Sequence, residues 1–143
     1  MAQNSTTNRQ ILLASRPVGA PTASNFALAH TAVPVAGPGQ VLLRTVYLSL
    51  DPYMRGRMSD AASYAAAADL NAPMLGATVC RVAASQHPDF TEGDWVLAYT
   101  GWQDYALSDG SGLTKLDANR ARPSYALGVL GMPGFTAYMG LLD

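Results

Sequence analysis

The sequence is poor in cysteine and in charge. Cys80 is the only cysteine among 143 residues, so a disulfide within the chain is excluded, and a reducing compartment such as the cytoplasm is favoured. Charged residues make up 13% of the chain, and the nine basic ones are scattered along it. Recognition of a phosphate backbone needs a concentrated basic surface, so the composition argues against a nucleic-acid partner.

Long hydrophobic runs are also missing. The apolar run at residues 11–14 is too short for a signal peptide. The uncharged apolar tail at residues 128–142 comes closest to a membrane span, but it is interrupted by Gly131, Pro133 and Gly134 and is too short to cross a membrane as a straight helix. We therefore expect a soluble cytoplasmic protein with no membrane contact.

Glycine and proline, by contrast, are frequent and divide the first hundred residues into short segments, as a protein of many short strands requires. The run at 40–50 is rich in β-branched and aromatic residues and is apolar on both faces, which predicts a central strand covered on both sides. The predicted strands are RQILLA (9–14), QVLLRTVYLSL (40–50), ATVCRVAAS (77–85), the second half of FTEGDWVLAYT (90–100) and WQDYALSD (102–109).

Helices are predicted in three places. A short helix is predicted at about 52–58. Asp51 can cap its start, and the proline that follows suits the first helical position. The alanine-rich stretch 61–68 is predicted to be helical or a mobile flap. Near the C-terminus, Ser124 is predicted to cap one short apolar helix and Pro133 to open a second. The fold class is thus mainly β (α+β), with short helices and an apolar helical tail.

The apolar tail needs something to pack against. Each of its large side chains contributes about 1.5–3 kcal/mol when buried, so leaving half of them in water would forfeit a large part of a domain's stability. Composition leaves two interpretations open. The tail either covers its own β body or lies at a junction with another domain. These side chains are Val129, Leu130, Met132, Phe135, Tyr138, Met139, Leu141 and Leu142.

Three blocks of sequence resemble one known family. YLSLDPYMRGRM (47–58), GWQDYAL (101–107) and LGVLGMPGFTAYMGLLD (127–143) are similar to the zinc-independent medium-chain dehydrogenase/reductases, in the branch of prostaglandin reductases, leukotriene hydroxydehydrogenases and curcumin and alkenal double-bond reductases. The resemblance implies a GroES-like, partly open β-barrel over 8–126. It also implies that 127–143 is the crossover helix toward a Rossmann domain that binds NADPH.

In that branch, hydride from NADPH reduces the C=C bond of an α,β-unsaturated aldehyde or ketone. The Gly-rich phosphate turn of a Rossmann domain does not occur in these 143 residues. The resemblance therefore predicts the first part of such an enzyme, inactive or nearly so by itself and a homodimer at full length. Two alternatives remain: a free-standing GroES-like binding or assembly module that uses its tail as an oligomer contact, and a quinone reductase domain.

The resemblance assigns Tyr53 and Tyr64 to catalysis. Their hydroxyls would donate hydrogen bonds to the enolate oxygen that forms during reduction. Tyr53 would also approach the nicotinamide end of NADPH. The alternatives are that Tyr53 packs on the β body with its hydroxyl satisfied locally, and that Tyr64 faces solvent. Residues 65–68 depart from the family, whose members carry bulkier, proline-containing residues there, so the pocket is expected to be wider or the flap looser.

Cofactor contacts are assigned by the same resemblance to Tyr53, Met132, Pro133 and Thr136, which match residues that line the nicotinamide pocket. Backbone groups at a helix start, together with one threonine hydroxyl, suit a carboxamide, which has both a donor and an acceptor. The alternative for the last three is an ordinary helix start and core.

No metal is expected. Zinc-dependent relatives need thiolate and imidazole ligands, and Ser49-Leu50-Asp51 stands where their first ligand cysteine would be. Cys80 lies within a predicted strand as a buried thiol, and His30 and His87 are far apart in sequence.

Four further side chains are expected to have structural roles. Arg55 and Arg57 are predicted to be solvated and paired with nearby carboxylates, and Trp102 and Tyr105 to pack against their strand rather than to bind substrate.

Overall fold

The computed structural model of the chain describes residues 6–61 and 65–142. Its strands are β1 (Thr7–Leu13), β2 (Phe26–Ala32), β3 (Val41–Leu48), β4 (Thr78–Ser85), β5 (Trp95–Ala98), β6 (Tyr105–Ser108) and β7 (Thr114–Leu116). Its α-helices are α1 (Tyr53–Arg57) and α2 (Met132–Leu142), and two 3₁₀ helices span Ala23–Asn25 and Pro123–Leu127.

The strands form two antiparallel sheets. The larger has the order β6-β3-β4-β5-β7, and the smaller pairs β1 with β2. In the larger sheet β3 is an interior strand, since Val41 lies opposite Ser85 of β4 and Ser108 of β6. This confirms the predicted fold class: the body is mainly β, and its sheet is partly open rather than a closed barrel.

The main core lies on one face of the larger sheet. Val41 and Leu43 of β3 and Cys80 and Val82 of β4 alternate inward and are buried together with Val96 of β5. This alternation is the period of a pleated strand, and it was the signal that predicted β4. Cys80 is buried and free, as predicted.

The second half of β3 is not covered on both sides, contrary to the prediction. Its first three residues are buried, but Val46, Tyr47 and Leu48 are all partly exposed, so the strand is covered on both sides only at its start. The apolar pattern of 40–50 therefore describes two environments: a core and an uncovered edge.

Strand β1 also contacts the segment that precedes β6. The amide of Ile11 donates to the carbonyl of Trp102 at 2.9 Å, and Asn8 exchanges two buried hydrogen bonds with the backbone of Tyr105, each 2.9 Å long. At the surface, the Arg9 guanidinium donates to the Asp104 carboxylate at 2.7 Å and 3.1 Å. These contacts join the small sheet to the large one.

Acid should weaken this attachment. The Arg9 hydrogen bond is the first cause that lowers the pKa of the Asp104 carboxyl below its ordinary value. A carboxyl with a lowered folded-state pKa contributes stability that is present above the unfolded value of about 3.9 and is lost as pH falls through the folded-state value. Because the pair is solvent-screened, Asp104→Asn should cost well under about 1 kcal/mol near pH 7, and nothing once the pH is below the folded-state pKa. Urea unfolding at both pH values measures this, and a cost that persists in acid would contradict it.

Several predicted elements have different bounds or are absent. Residues 65–68 are not helical; instead the amide of Ala68 donates to the carbonyl of Arg57, and Ala68 is buried. The remainder of the predicted flap, residues 62–64, lies outside the described residues. The helix expected after Ser124 is a 3₁₀ helix that starts at Pro123 and ends at Leu127.

Helix α2 leaves the body uncovered. None of its described residues is buried, and Phe135 at 67% and Leu141 at 84% are among the most exposed apolar side chains. The tail therefore does not cover its own β body, which was one of the two interpretations. Within the described residues no helix is long and apolar enough to cross a membrane.

Candidate functional site

The candidate site begins where β3 ends. The amide of Ser49 donates to the carbonyl of Ala77 at 3.0 Å, and the amide of Met54 donates to the carbonyl of Asp51 at 3.0 Å. This turn makes Tyr53 the first residue of α1. Pro52, not Asp51, is the N-cap residue, and no side chain caps the helix. The predicted capping role of Asp51 is therefore wrong.

Arginines fix α1 through backbone carbonyls. The Arg55 guanidinium donates to the carbonyls of Pro17 at 3.1 Å and Gly19 at 2.9 Å. Arg57 donates to the carbonyl of Ala66. The partners are backbone carbonyls, so the predicted pairing of these arginines with carboxylates is wrong. Hydrogen bonds from charged donors to carbonyls are stronger than those from neutral donors. The bonds of these two arginines therefore hold α1 against two neighbouring loops.

A small pocket lies between this turn and the C-terminal helices. It includes three of the predicted site residues: Tyr53, Met132 and Pro133. Its volume is about 50 Å³, enough for one or two waters and much less than a small-molecule pocket usually offers. The other lining residues are Ser49, Asp51, Ala77, Leu97, Tyr99, Ala126, Leu127 and Gly131.

Two predicted residues are not among those lining this pocket. Thr136 is exposed on α2, and Tyr64 lies outside the described residues. Thr136 is four residues after Met132, so the two share one face of the helix.

Close backbone packing fixes where α2 begins. A Cβ on Gly131 would overlap the carbonyl of Ala126, and one on Gly134 would overlap the carbonyl of Val129. The amide of Gly134 donates to the carbonyl of Gly128 at 3.0 Å across the same turn. Only glycine permits this approach, and as a result the first residues of α2 lie at the pocket.

Asp51 presents an unusual carboxylate to the pocket. The Ser49 hydroxyl donates to its Oδ1 at 2.9 Å, whereas its Oδ2 is buried and accepts no hydrogen bond within the described part of the chain. A buried acceptor without a donor costs about 1–3 kcal/mol.

Asp51, Leu97 and Tyr99 are pocket residues that the sequence prediction missed. Asp51 and Tyr99 come after the ends of β3 and β5, and Leu97 is the last residue but one of β5. Tyr99 is 70% exposed and comes directly after β5. The sequence indicated only that these residues lie near strand ends. It did not indicate that their side chains line the pocket.

Two other expectations concern the surroundings of the site. Trp102 stacks on Phe26 with ring centroids 5.5 Å apart, and Tyr105 is buried, so both pack on the body as predicted. A larger groove of about 620 Å³ lies between β1 and β3 and contains none of the predicted site residues. In residues 6–61 and 65–142, no three His, Cys, Asp or Glu side chains are grouped as metal ligands.

Residues 9–116 match the family described as the N-terminal domain of oxidoreductase, and the chain belongs to that family.

The chain is similar in sequence to individual reductases over most of its length. It is 61% identical over 143 residues to the NADPH-dependent curcumin reductase of Escherichia coli (strain K12), and 45% identical over 128 residues to prostaglandin reductase 1 of Rattus norvegicus. It spans 41% and 37% of their lengths, and these matches cover 100% and 87% of the chain. The crystal structure of CurA from Vibrio vulnificus in complex with NADPH superimposes with a TM-score of 0.88, at 65% identity, over 94% of this chain and 40% of that one.

Proposed function

We propose that the chain is the substrate-side domain of an NADPH-dependent reductase that acts on the C=C bond of α,β-unsaturated aldehydes and ketones. The observation that carries the proposal is the pocket that brings Tyr53 together with Met132 and Pro133 at the end of β3. The similar protein named as an NADPH-dependent curcumin reductase supports it, because curcumin contains C=C bonds conjugated to a carbonyl.

Bound NADPH would supply the hydride that reduces the β-carbon. The substrate then carries negative charge on its carbonyl oxygen, and the protein's part is to offer a donor there. In our proposal the Tyr53 hydroxyl donates to that oxygen, from a position fixed by the first turn of α1. From the resemblance we assign the same kind of role to Tyr64, as a second hydroxyl near the substrate that serves proton transfer.

The residues present fit the nicotinamide end of NADPH. Asp51 lines the same pocket, and its carboxyl group suits the hydrogen-bond donors that this end carries. Met132 and Pro133 supply apolar contact beside it, and Thr136 extends the same face of α2. A pocket of about 50 Å³ holds only one edge of the ring, so the rest of the site would come from a nucleotide-binding domain.

We further propose that residues 127–143 are the crossover segment to that domain, and that the whole enzyme is a homodimer. The exposed apolar side chains of α2 support a junction, since burying them against a second domain recovers the hydrophobic free energy that the isolated chain forgoes.

A charge placed on α2 tests the junction. In the isolated chain Phe135→Glu should change the free energy of unfolding by less than about 0.5 kcal/mol, because Phe135 is exposed. In the whole gene product the same change should cost several kcal/mol, on the order expected for an unpaired charge at a buried interface. Urea unfolding of both proteins measures the difference.

Leu43→Ala is the matched control, because Leu43 is fully buried in the β core. It should cost roughly 2–5 kcal/mol in both proteins. Equal small effects of Phe135→Glu in the two would show that α2 is not at an interface.

The exposed apolar helix also supports a second candidate, a free-standing binding or assembly module. In that case the isolated chain forms a defined oligomer in solution, and removal of residues 128–143 abolishes it. Light scattering on both forms separates the candidates, because the reductase proposal predicts no defined oligomer of the isolated chain.

Product analysis tests the reaction itself. The whole gene product, given NADPH and a simple enone, should yield the saturated ketone and consume one NADPH per product. An allylic alcohol as product would contradict C=C reduction. Turnover with quinones and none with enones would instead favour the quinone reductase alternative.

A further inference from the structure

Arg16 bonds to the backbone at both ends of one loop. Its guanidinium donates through Nη1 to the carbonyl of Met58 at 3.0 Å and through Nη2 to the carbonyl of Ala68 at 3.2 Å. Met58 is the C-cap residue of α1, so the loop starts at the end of the helix that carries Tyr53. A single side chain therefore closes residues 59–67, which we call the 59–67 loop.

The 59–67 loop has little packing of its own. None of its described residues is buried, whereas Met58 and Ala68, which flank it, both belong to the small core under α1. Alanine, its commonest residue, buries too little apolar area to anchor a loop. The loop is held instead by hydrogen bonds: besides those of Arg16, the amide of Ala68 donates to the carbonyl of Arg57 at 2.6 Å.

The guanidinium of Arg16 suits this task because its donors form a rigid, planar fork. Such a group holds two carbonyls at a fixed separation, and its charge makes each hydrogen bond stronger than a neutral one. Within the described part of the chain its ion-pair partner is Asp60, whose 82% exposed carboxylate lies 3.8 Å from Nε. An ion pair this exposed contributes little, so the two carbonyls are the main partners of Arg16.

We propose that Arg16 is a positioning residue for the substrate, which acts by holding the 59–67 loop against the end of α1. The inference rests on the function proposed above, in which the hydroxyls of Tyr53 on α1 and Tyr64 in the loop serve the substrate. The Arg16 contacts limit how far the loop can move from α1. They would thereby maintain the arrangement of the two hydroxyls, and a misplacement of about 1 Å can cost about a hundredfold in rate.

Replacing the fork tests the proposal in the whole gene product. Arg16→Lys keeps the charge and the apolar stem, but one ammonium on a flexible stem does not hold both carbonyls. Loss of a charged hydrogen bond should speed hydrogen exchange at the Ala68 amide, which is freed when the loop opens, by about tenfold. With an enone as substrate, kcat should fall by about tenfold. The KM for NADPH should stay within about twofold, because Met132 and Pro133 lie on another helix.

Two further variants support the comparison. Arg16→Gln, a neutral side chain without the fork, should behave like Arg16→Lys, and thermal unfolding shows whether each variant folds. Arg9→Lys is the matched control, because it also replaces a guanidinium with two contacts, here to the Asp104 carboxylate. It should leave the exchange of the Ala68 amide and both kinetic constants within about twofold, since an exposed ion pair contributes little.

The exchange rates and the kinetics separate the possible failures. Unchanged exchange at Ala68 in both Arg16 variants would show that Arg16 does not hold the loop. Faster exchange with unchanged kcat would show that the position of the loop has no bearing on the reaction. Either result overturns this inference and leaves the proposed function intact. An unaltered protein that reduces no enone would overturn the proposed function, and this inference with it, whatever the exchange rates.

Discussion

Replacing Tyr53 by phenylalanine is expected to lower kcat of the whole gene product toward an enone on the order of a hundredfold. The change removes one hydroxyl and keeps the ring, so the packing of Tyr53 against the core under α1 is preserved. The lost group is a donor that matters most when charge develops on the substrate oxygen. The effect should therefore appear in kcat, with a much smaller change in the KM for NADPH.

Tyr47→Phe is the matched control for this change. Tyr47 lies on the exposed half of β3 and is not among the residues that line the pocket. Its variant should keep kcat within twofold. Should Tyr53→Phe retain full kcat while folding normally, the hydroxyl would have no part in the reaction, and Tyr53 would be a packing residue only.

The second large effect is structural and concerns Gly101. Its φ of +74° lies in the left-handed region, and an added Cβ would lie 2.5 Å from the carbonyl oxygen of Met74. The neighbouring amide of Trp102 donates to that same carbonyl at 2.8 Å, so the backbone cannot withdraw without breaking a bond. Gly101→Ala should therefore cost about 2–5 kcal/mol, from backbone strain and overlap together.

Gly112→Ala separates the two causes. Gly112 has a φ of +69°, and an added Cβ meets nothing within 4 Å. Its cost should be only the conformational one, about 1–2 kcal/mol. Urea unfolding of both variants gives the comparison, and equal losses would show that the contact with Met74 contributes nothing.

The strands that the sequence predicted are those with packing behind them. Strands β3 and β4 were predicted from apolar side chains that prove to be buried, such as Val41 and Leu43 of β3 and Val82 of β4. Strand β2 was missed because its residues FALAHTA are mostly exposed and bury no face. It is held by its backbone register with β1, from Phe26 opposite Leu13 to Ala32 opposite Thr7, and such pairing leaves no hydrophobic period.

The candidate site was predictable only in part, and mainly through family resemblance. Tyr53, Met132 and Pro133 were selected from their motifs, and the structure brings them to one pocket. Asp51 was interpreted as a helix cap because an Asp-Pro pair before a helix usually indicates one. Its actual environment depends on the Ser49 hydroxyl and on strands β4 and β5, which are distant in sequence and determined by tertiary packing.

The central claim is that this domain holds one side of a cofactor site whose other side belongs to a nucleotide-binding domain. The most direct measurement follows NADPH absorbance and enone loss with the isolated 143-residue chain. The account predicts no turnover above the rate without protein, even at high NADPH concentration. Sustained turnover by the isolated chain would contradict it.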